Sequence, residues 1–529
     1  ENREGNARFR VRALPFFGSA SLQFRATLGD VSQTRTATLS VRPAVAYADK
    51  VTLGSVDVGT HRLEMPRDLL PVHASASLRA SHSPVLLADG LVDYLAGYPF
   101  GCTEQLVSAA WPSLVAGTAD RVDALVAALR LRQQNDGGFS LWPGGSGSDV
   151  DASLHALHFL RDALDAGRLP GDAQGLLSRG QSYLRRRANT PVDTLADARR
   201  RAYAIYLLTR GGEVTGNQVL DLQQWLGRQD DSLWRGDVTA VWLAGALALL
   251  QSTPEAERLL RGYRLGRQSL DQPGPYDSVL AQDAQFIDVV SRHVPDLRAE
   301  VDADDLKHLL TPVLNQGYNS YSAAFAVMAL HAVGESADGE PVRAEVLDAS
   351  GAATALPLEP GAATPLPADA PAVRLTSDAT AYYALRQAGF DAGVPDVARA
   401  DGLEITREFL APDEDVAARP RVGEDLRVRL RLRSTDGALH QHVAVIDLLP
   451  AGFEVDVDSL DAWQQGHVEV RGDRVLWFGP VDGGVTELVY RARPTAVGEF
   501  VVPPASAQSM YRRDVHGSTA AGRVGIAGR

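Results

Sequence analysis

A long central run of helical periodicity is the feature that most restricts the fold. From about residue 84 to about residue 335, apolar residues recur at helical spacing between clusters of Gly, Pro, Asn and Asp. Two of the apolar stripes are Val122, Leu125, Val126 and Leu129, and Ala240, Leu243, Ala244 and Leu247. Repeated helix pairs of this kind build an open array or a closed toroid. We therefore predict a helical domain over residues 84–335.

Strand-like patterns stand directly before and after this helical block. Val51-Thr52-Leu53 precedes it, and residues 342–346 alternate between apolar and polar after it. We interpret the two flanking stretches, residues 46–83 and 336–398, as parts of one β domain. The helical domain is then an insertion into that β domain.

Both ends of the chain carry β patterns of their own. Apolar residues alternate over 22–26 and 37–41 on either side of Gly29-Asp30, which predicts a hairpin with one buried face. Residues 426–433 alternate four apolar residues with four arginines, which is typical of a strand with one solvated face. Further strands follow at the spacing of a β sandwich, which we place at residues 399–529.

The only cysteine in the 529 residues lies in the stretch Tyr98-Pro99-Phe100-Gly101-Cys102-Thr103-Glu104-Gln105. Positions three apart approach each other across a helical turn, so the Cys102 sulfur can reach the side-chain carbonyl of Gln105. A thiolate leaves more easily than an amide nitrogen, so moving this acyl group to sulfur releases ammonia and activates it. The pattern predicts an internal thioester that an amine can attack. Gly101 is expected to hold a backbone position costly for other residues.

Composition argues against several classes of partner, and the cysteine has an unreactive interpretation as well. The net charge of −14 argues against nucleic acid and anionic membranes, and no apolar run reaches the ~18 residues of a membrane span. His155 and His158 lie three apart with no third ligand nearby, which favours packing or surface roles, so we expect neither a metal nor a cofactor. Cys102 can also be read as a buried, unreactive cysteine beside a surface glutamine.

The stretch around Cys102 resembles the thioester site of the bacterial alpha-2-macroglobulins, relatives of the complement thioester proteins. The resemblance covers the whole chain through the order of its domains. A second motif, residues 133–142, resembles the Gln…Asp-Gly-Gly-Phe…Trp repeat of α/α toroid proteins, with Phe139 and Trp142 as core residues.

This resemblance implies a multidomain α+β fold. Its expected parts are the end of a macroglobulin-type β domain (1–45), a CUB-like β domain (46–83 and 336–398), an inserted α/α toroid thioester domain (84–335) and a C-terminal macroglobulin, receptor-binding-like β sandwich (399–529).

The resemblance also assigns roles to residues around the thioester. Glu104 belongs to the motif, either hydrogen-bonding during ring formation or acting as a solvated acid in the first helical turn. Tyr98, Met510 and Tyr511 are expected to shield the bond from water. Complement-type relatives use a histidine downstream of the thioester, but residues 195–220 contain none. We therefore expect direct attack by amines, in preference to hydroxyls.

The implied function is that of a protease inhibitor, not an enzyme. Attacking proteases are captured covalently through their lysine amines after cleavage of a bait region, which we expect upstream of residue 1. The family further implies a periplasmic location, a lipid anchor in an N-terminal part that is missing here, and association with a peptidoglycan synthase.

Two other functions stay open. The same thioester could tether an opsonin-like or adhesin-like protein to surfaces. An α/α toroid can also house an enzyme such as a cyclase, although Asp149-Val150-Asp151 is the nearest approach to its acidic cluster. Arg471-Gly472-Asp473 is better explained as a hairpin turn than as an adhesion motif.

Overall fold

The computed structural model describes residues 7, 9–12, 14, 17–116, 120–267, 274–333, 340–359, 361–412, 415–417, 419–460 and 466–528. They fall into two compact units. One comprises Asp49–Pro66 and Ser75–Ala388, and the other comprises Glu1–Ala48, Arg67–Ala74 and Gly389–Arg529.

The α-helices of the described residues belong to the first of these units. They are α1 (Val85–Gly97), α2 (Thr103–Ala116), α3 (Asp120–Arg130), α4 (Val150–Asp165), α5 (Gln174–Ala188), α6 (Leu195–Arg210), α7 (Gly216–Leu226), α8 (Asp231–Trp234), α9 (Val238–Leu249), α10 (Thr253–Leu260), α11 (Val279–His293), α12 (Pro295–Arg298), α13 (Ala303–Leu314) and α14 (Ser320–Val333).

The strands lie on both sides of the helical block. They are β1 (Gly18–Leu28), β2 (Val31–Val41), β3 (Ala48–Val56), β4 (Gly59–Glu64), β5 (Ser75–Ser81), β6 (Arg343–Leu347), β7 (Ala353–Leu356), β8 (Thr364–Leu366), β9 (Ala372–Ser377), β10 (Ala381–Gly389), β11 (Arg399–Asp401), β12 (Leu403–Leu410), β13 (Leu426–Ser434), β14 (His440–Leu448), β15 (Phe453–Asp456), β16 (His467–Arg471), β17 (Arg474–Val481), β18 (Thr486–Pro494), β19 (Gly498–Val502), β20 (Ala505–Ser509), β21 (His516–Ser518) and β22 (Gly522–Ile526).

The helical block closes on itself. Among the described residues, α2, α4, α6, α9, α11 and α14 each pack against the next, and α14 packs back against α2. Helix α9 is apolar and buried around nearly its whole circumference, as expected for an inner helix that is covered on all sides. The ring of inner helices, with the remaining helices outside it, is an α/α toroid, as predicted.

The β strands confirm that the helical domain is an insertion. Strand β4 pairs with β9, and β5 pairs with both β8 and β10, so strands before residue 84 share sheets with strands after residue 336. The two four-stranded sheets have the orders β3-β10-β5-β8 and β4-β9-β6-β7. Strands β7 and β8 lie within an Ala/Pro-rich stretch, residues 351–371.

Helix α1 connects this β domain to the motif that contains Cys102. A Cβ atom at Gly90 would lie 2.2 Å from Leu53 Cδ2 and 3.1 Å from Ala384 Cβ, so the absence of a side chain at Gly90 lets the helix approach the sheet closely. The contact packs the middle of α1 against strands β3 and β10.

The other unit contains a β sandwich, as predicted. Its larger sheets have the orders β11-β21-β20-β14-β17-β16 and β12-β13-β18-β15. The apolar residues of β13 are buried against Trp477 and Tyr490, while its arginines form ion pairs on the outer face. Arg471-Gly472-Asp473 lies at the two-residue turn between β16 and β17, which confirms the hairpin interpretation.

The N-terminal hairpin differs from the prediction in one respect. Strands β1 and β2 pair in full around Gly29-Asp30, but nearly all of their residues are exposed on both faces. The expectation of one buried face was wrong, because a two-stranded ribbon offers no second layer for its apolar residues to pack on.

Candidate functional site

Cys102 occupies the N-cap position of helix α2. Its carbonyl oxygen accepts the first helical hydrogen bond, from Leu106 N at 3.0 Å. Gln105 is then the third helical residue, the position from which a Glu or Gln side chain reaches back to the cap in a capping box. It does so here: the Cys102 N–H donates to Gln105 Oε1 at 3.2 Å. The helix start therefore directs the side-chain carbonyl of Gln105 toward Cys102.

Both side chains are enclosed by protein. Cys102 is 1% exposed and Gln105 is 3% exposed. The other end of the Gln105 amide, its Nε2, is buried and has no hydrogen-bond partner among the described residues. Burying a polar group without a hydrogen bond costs about 1–3 kcal/mol of folding free energy. The amide oxygen of Gln105 is therefore held by a hydrogen bond, whereas burial of its nitrogen is unfavourable.

The start of α2 is anchored by the loop of residues 133–142. The Thr103 N–H donates to the Leu141 carbonyl at 2.8 Å, and Thr103 Oγ1 donates to the Ser140 carbonyl at 2.6 Å. Phe139, fully buried, fixes this loop, whereas Trp142 is only half-buried and is not the core residue expected. The toroid motif thus supplies the acceptors that satisfy the first turn of α2.

Glu104 points into the protein and is completely buried. Its carboxylate accepts hydrogen bonds from Ser108 Oγ at 2.7 Å and from Ser320 Oγ at 2.9 Å. The reading of Glu104 as a solvated first-turn acid was therefore wrong. Ser108 lies one helical turn away, but Ser320 is 216 residues further along the chain, so sequence spacing gave no sign of it.

His155 and His158 are also fully buried, so of their two predicted roles packing is the one observed. His155 Nε2 lies 2.9 Å from Ser108 Oγ, and its ring is 4.7 Å from that of Trp111. His158 Nδ1 lies 2.7 Å from the Tyr203 hydroxyl. No group of three or more potential metal ligands occurs in the described part of the chain.

The predicted shielding residues lie in separate units. Tyr98 ends α1, half-buried, with its ring edge-on to those of Tyr94 at 5.6 Å and Phe100 at 5.7 Å. Met510 and Tyr511 follow β20 in the sandwich, where the Met510 N–H donates to the His442 carbonyl at 2.8 Å. The shielding role of all three stays a prediction.

Gly101 does not have the backbone conformation expected of it. Its φ lies outside the left-handed region, and a Cβ atom there would meet only Leu106 Cδ2, at an ordinary 3.7 Å. The Gly101 carbonyl instead accepts a hydrogen bond from Arg132 Nη2 at 3.2 Å. Arg132, which sequence reasoning did not select, thus ties the segment before Cys102 to the end of helix α3.

Asp162, another residue missed from sequence, ties α2 to other helices of the inner ring. Its carboxylate pairs with Arg210 at 2.8 Å and Arg292 at 3.0 Å, from α6 and α11. It also accepts a hydrogen bond from Trp111 Nε1, on α2, at 3.3 Å. Four inner helices therefore meet at one buried carboxylate.

The acidic residues considered for a toroid enzyme serve the fold. Asp149 caps α4, and Asp151 forms a two-point ion pair with Arg200, both N–O distances being 2.8 Å. A neighbouring cavity lined by Asp151, Tyr276 and Trp242 has a volume of about 40 Å³. That is room for about one or two water molecules and not for a terpenoid substrate.

Comparison with known proteins bears on this arrangement. Residues 402–514 match the family of the bacterial alpha-2-macroglobulin MG10 domain. The alpha-2-macroglobulin homolog of Yersinia pestis is 29% identical to this chain, over 97% of this chain and 28% of that protein. The chain is a homologue of the bacterial alpha-2-macroglobulins. It spans less than a third of the length of this curated relative.

Solved alpha-2-macroglobulins share the fold of this homologue. Native Escherichia coli alpha-2-macroglobulin, in a crystal structure from domain MG7 to the C-terminus, has a TM-score of 0.75 at 20% identity, covering 97% of this chain and 88% of that one. Salmonella alpha-2-macroglobulin reacted with methylamine also gives 0.75, at 21% identity, covering 98% of this chain and 36% of that one. The predicted fold class, with macroglobulin-type β domains and a helical toroid, is confirmed.

Proposed function

We propose that Cys102 and Gln105 form an internal thioester and that this homologue captures proteases through it. The Cys102 sulfur attacks Cδ of Gln105, the Cδ–Nε2 bond breaks, and the thiol proton leaves with the nitrogen as ammonia. A lysine amine of a protease later attacks the same carbon. That step leaves an amide bond to the protease and returns the proton to the Cys102 sulfur.

The surroundings of the Gln105 side-chain amide are the observation that carries this proposal. The Cys102 N–H donates to the oxygen that becomes negatively charged when sulfur attacks, so it acts as an oxyanion donor already in place. The amide nitrogen is buried without a partner among the described residues, and its departure as ammonia removes that penalty of about 1–3 kcal/mol. An inert glutamine gains nothing from either feature.

Burial and position support the same chemistry. A thiolate at a helix N-terminus is stabilised by the helix dipole, which makes Cys102 a better nucleophile and a better leaving group. Enclosure of Cys102 and Gln105 keeps water from the acyl group once it has formed. In Salmonella alpha-2-macroglobulin, a protein of the same fold, a structure after reaction with methylamine is known. A bait region, a periplasmic location, a membrane anchor and a synthase partner belong to the same proposal.

The decisive experiment is intact mass spectrometry with a methylamine challenge. The native chain is expected to weigh one ammonia less than its sequence and to show no thiol that a disulfide reagent can titrate. Methylamine should add its full mass and release one thiol. Cys102→Ala and Gln105→Glu are matched controls, since each removes one reacting group with a small change in side-chain volume, and neither should show the deficit.

Two results would overturn the proposal. One is a freshly prepared wild-type chain with its full sequence mass, a titratable thiol and no response to methylamine. The other is an equal mass deficit in Cys102→Ala. Parallel incubation with glycerol separates trap from surface tether: the amine is expected to be incorporated and the polyol to be excluded.

A further inference from the structure

Behind the first turn of α2, polar side chains from three helices form a buried chain of hydrogen bonds. Ser108 Oγ donates to Glu104 Oε1 at 2.7 Å, and Ser320 Oγ donates to Oε2 at 2.9 Å. Ser108 Oγ also lies 2.9 Å from His155 Nε2. Each of these four residues is at most 1% exposed, so the bonds are formed out of contact with solvent.

The proton positions along this chain follow from counting donors. Ser108 has a single hydroxyl proton and gives it to Glu104, so its contact with His155 requires the imidazole to donate from Nε2. His155 Nδ1 has no hydrogen-bond partner among the described residues. Burial, followed by the charge of His158, lowers the pKa of His155 well below its ordinary value, so the ring carries one proton only. All the donors therefore point toward the Glu104 carboxylate.

A buried carboxylate takes up a proton unless hydrogen bonds hold the charged form. Donors that polarise one another in series strengthen the terminal bond. Glu104 stands two residues after Cys102 and one before Gln105 at the start of α2, and all three side chains are at most 3% exposed. The carboxylate is therefore buried at the same helix start as the thiol and the amide.

We propose that His155, Ser108 and Ser320 are positioning residues that keep Glu104 ionised and fixed, and that Glu104 carries the proton in the ring reaction. The carboxylate takes the proton from the Cys102 thiol as the S–C bond forms. It then delivers that proton to the nitrogen of Gln105 as the C–N bond breaks, and ends as a carboxylate again. This inference rests on the proposed thioester.

Ring closure can be timed on the folded chain. Ammonia opens the thioester to the original Cys102 thiol and Gln105 amide, so removing the ammonia by rapid desalting starts closure in every molecule. Intact mass and thiol titration then follow the loss of one ammonia and one thiol. The same assay applies to each variant, with its melting temperature measured alongside.

Glu104→Gln removes the general base, so we expect it to slow ring closure by about a hundredfold or more. His155→Leu and Ser108→Ala should slow it by about tenfold, because the base is less well held. His155→Gln and Ser108→Thr restore a donor at the same place and should recover most of the rate. In the Glu104→Gln background, His155→Leu should slow closure no further, since it acts through Glu104.

Closure of Glu104→Gln at the wild-type rate would overturn the proposal. So would an effect of His155→Leu that persists undiminished in the Glu104→Gln background. If His155→Leu fails to fold, Ser320→Ala can replace it, alone and in the Glu104→Gln background, because it removes a donor without opening a large cavity. A wild-type chain that never shows the mass deficit overturns the proposed function as well, which separates the two failures.

Discussion

At the scale of single residues, the helical domain contains a buried carboxylate among its inner helices. Asp162 is 4% exposed in its side chain and holds two guanidinium groups from different helices. Such a group is costly to bury, and it persists because each charge is matched. Its neighbour one turn away, Asp165, also pairs with Arg210, at 2.6 Å, but is 38% exposed.

These two aspartates give a matched test of burial. Asp162→Asn should lower the free energy of unfolding by about 3–5 kcal/mol, because the buried Arg210 and the partly buried Arg292 each lose one carboxylate partner. Asp165→Asn should cost about 0–1 kcal/mol, as for an exposed pair. Urea unfolding followed by the helical circular dichroism signal measures both. Equal losses in the two variants would contradict the assignment of Asp162 as the buried centre of the ring.

At the scale of elements, the loop of residues 133–142 supports the start of α2, where Cys102 and Gln105 lie. Gly137 makes that loop possible, since its φ is +86° and a Cβ atom would lie 2.2 Å from the Arg179 carbonyl oxygen. The obstacle is backbone and cannot rotate away. Displacing this turn would carry with it the carbonyls of Ser140 and Leu141 that hold Thr103.

Alanine at Gly137 should therefore damage both stability and the thioester. We expect Gly137→Ala to cost about 3 kcal/mol and to reduce the fraction of molecules with the mass deficit. Gly144 is a control from the following turn, because it also has a positive φ, of +72°, but a Cβ atom added there would meet no described atom within 4 Å. Gly144→Ala should cost only about 1–2 kcal/mol and leave the deficit intact. A full mass deficit in Gly137→Ala would argue against the loop as a support.

Elements also show how far sequence reasoning could reach. Alternation and helical periodicity are local, so they located the toroid, its insertion and strands such as β13. The helix-cap role of Cys102 and Gln105 is likewise local and was accessible. The partners of Glu104 were not, because Ser320 is brought to it only by closure of the ring. The exposure of β1 and β2 could not be predicted from local alternation either, because alternation does not reveal whether a second layer covers the apolar face.

At the scale of the whole molecule, the two units contain differently perturbed acids and bases. In the helical unit, burial lowers the pKa of His158 well below its ordinary value, and burial with Arg210 and Arg292 lowers that of His293 to about 4. Burial, followed by Asp151, raises the pKa of Asp149 to about 6. In the sandwich, hydrogen bonds from Ser434 and His467 lower the pKa values of Asp436 and Glu469 to about 2.

The units should therefore weaken in different ranges of pH. An unfolded histidine binds a proton below pH ~6.5 while a buried one does not, so the helical unit loses stability as the pH falls through that value. Protonation of Asp149 in the folded state opposes this below pH ~6. The sandwich should hold until pH ~4, where its unfolded carboxylates begin to bind protons. Calorimetry from pH 7 to pH 4 should separate the two responses.

His293→Gln is the control for the helical unit. Glutamine can keep the contact that His293 Nε2 makes with the Tyr206 hydroxyl at 2.9 Å, but it does not titrate. Between pH 7 and pH 5.5 the variant should lose about 1 kcal/mol less than the wild type. An identical loss in both proteins would contradict the assignment of His293 to the acid response.

The pairing of α14 with α2 has a consequence for the timing of biosynthesis. Ser320 leaves the ribosome more than two hundred residues after Glu104, and only then can its hydroxyl donate a hydrogen bond to the Glu104 carboxylate. A half-made chain therefore has its cysteine and glutamine but not the environment that we propose joins them. If the proposed bond forms only in that environment, it forms after the fold that protects it is in place, and the nascent polypeptide has no thioester with which its own amines could react.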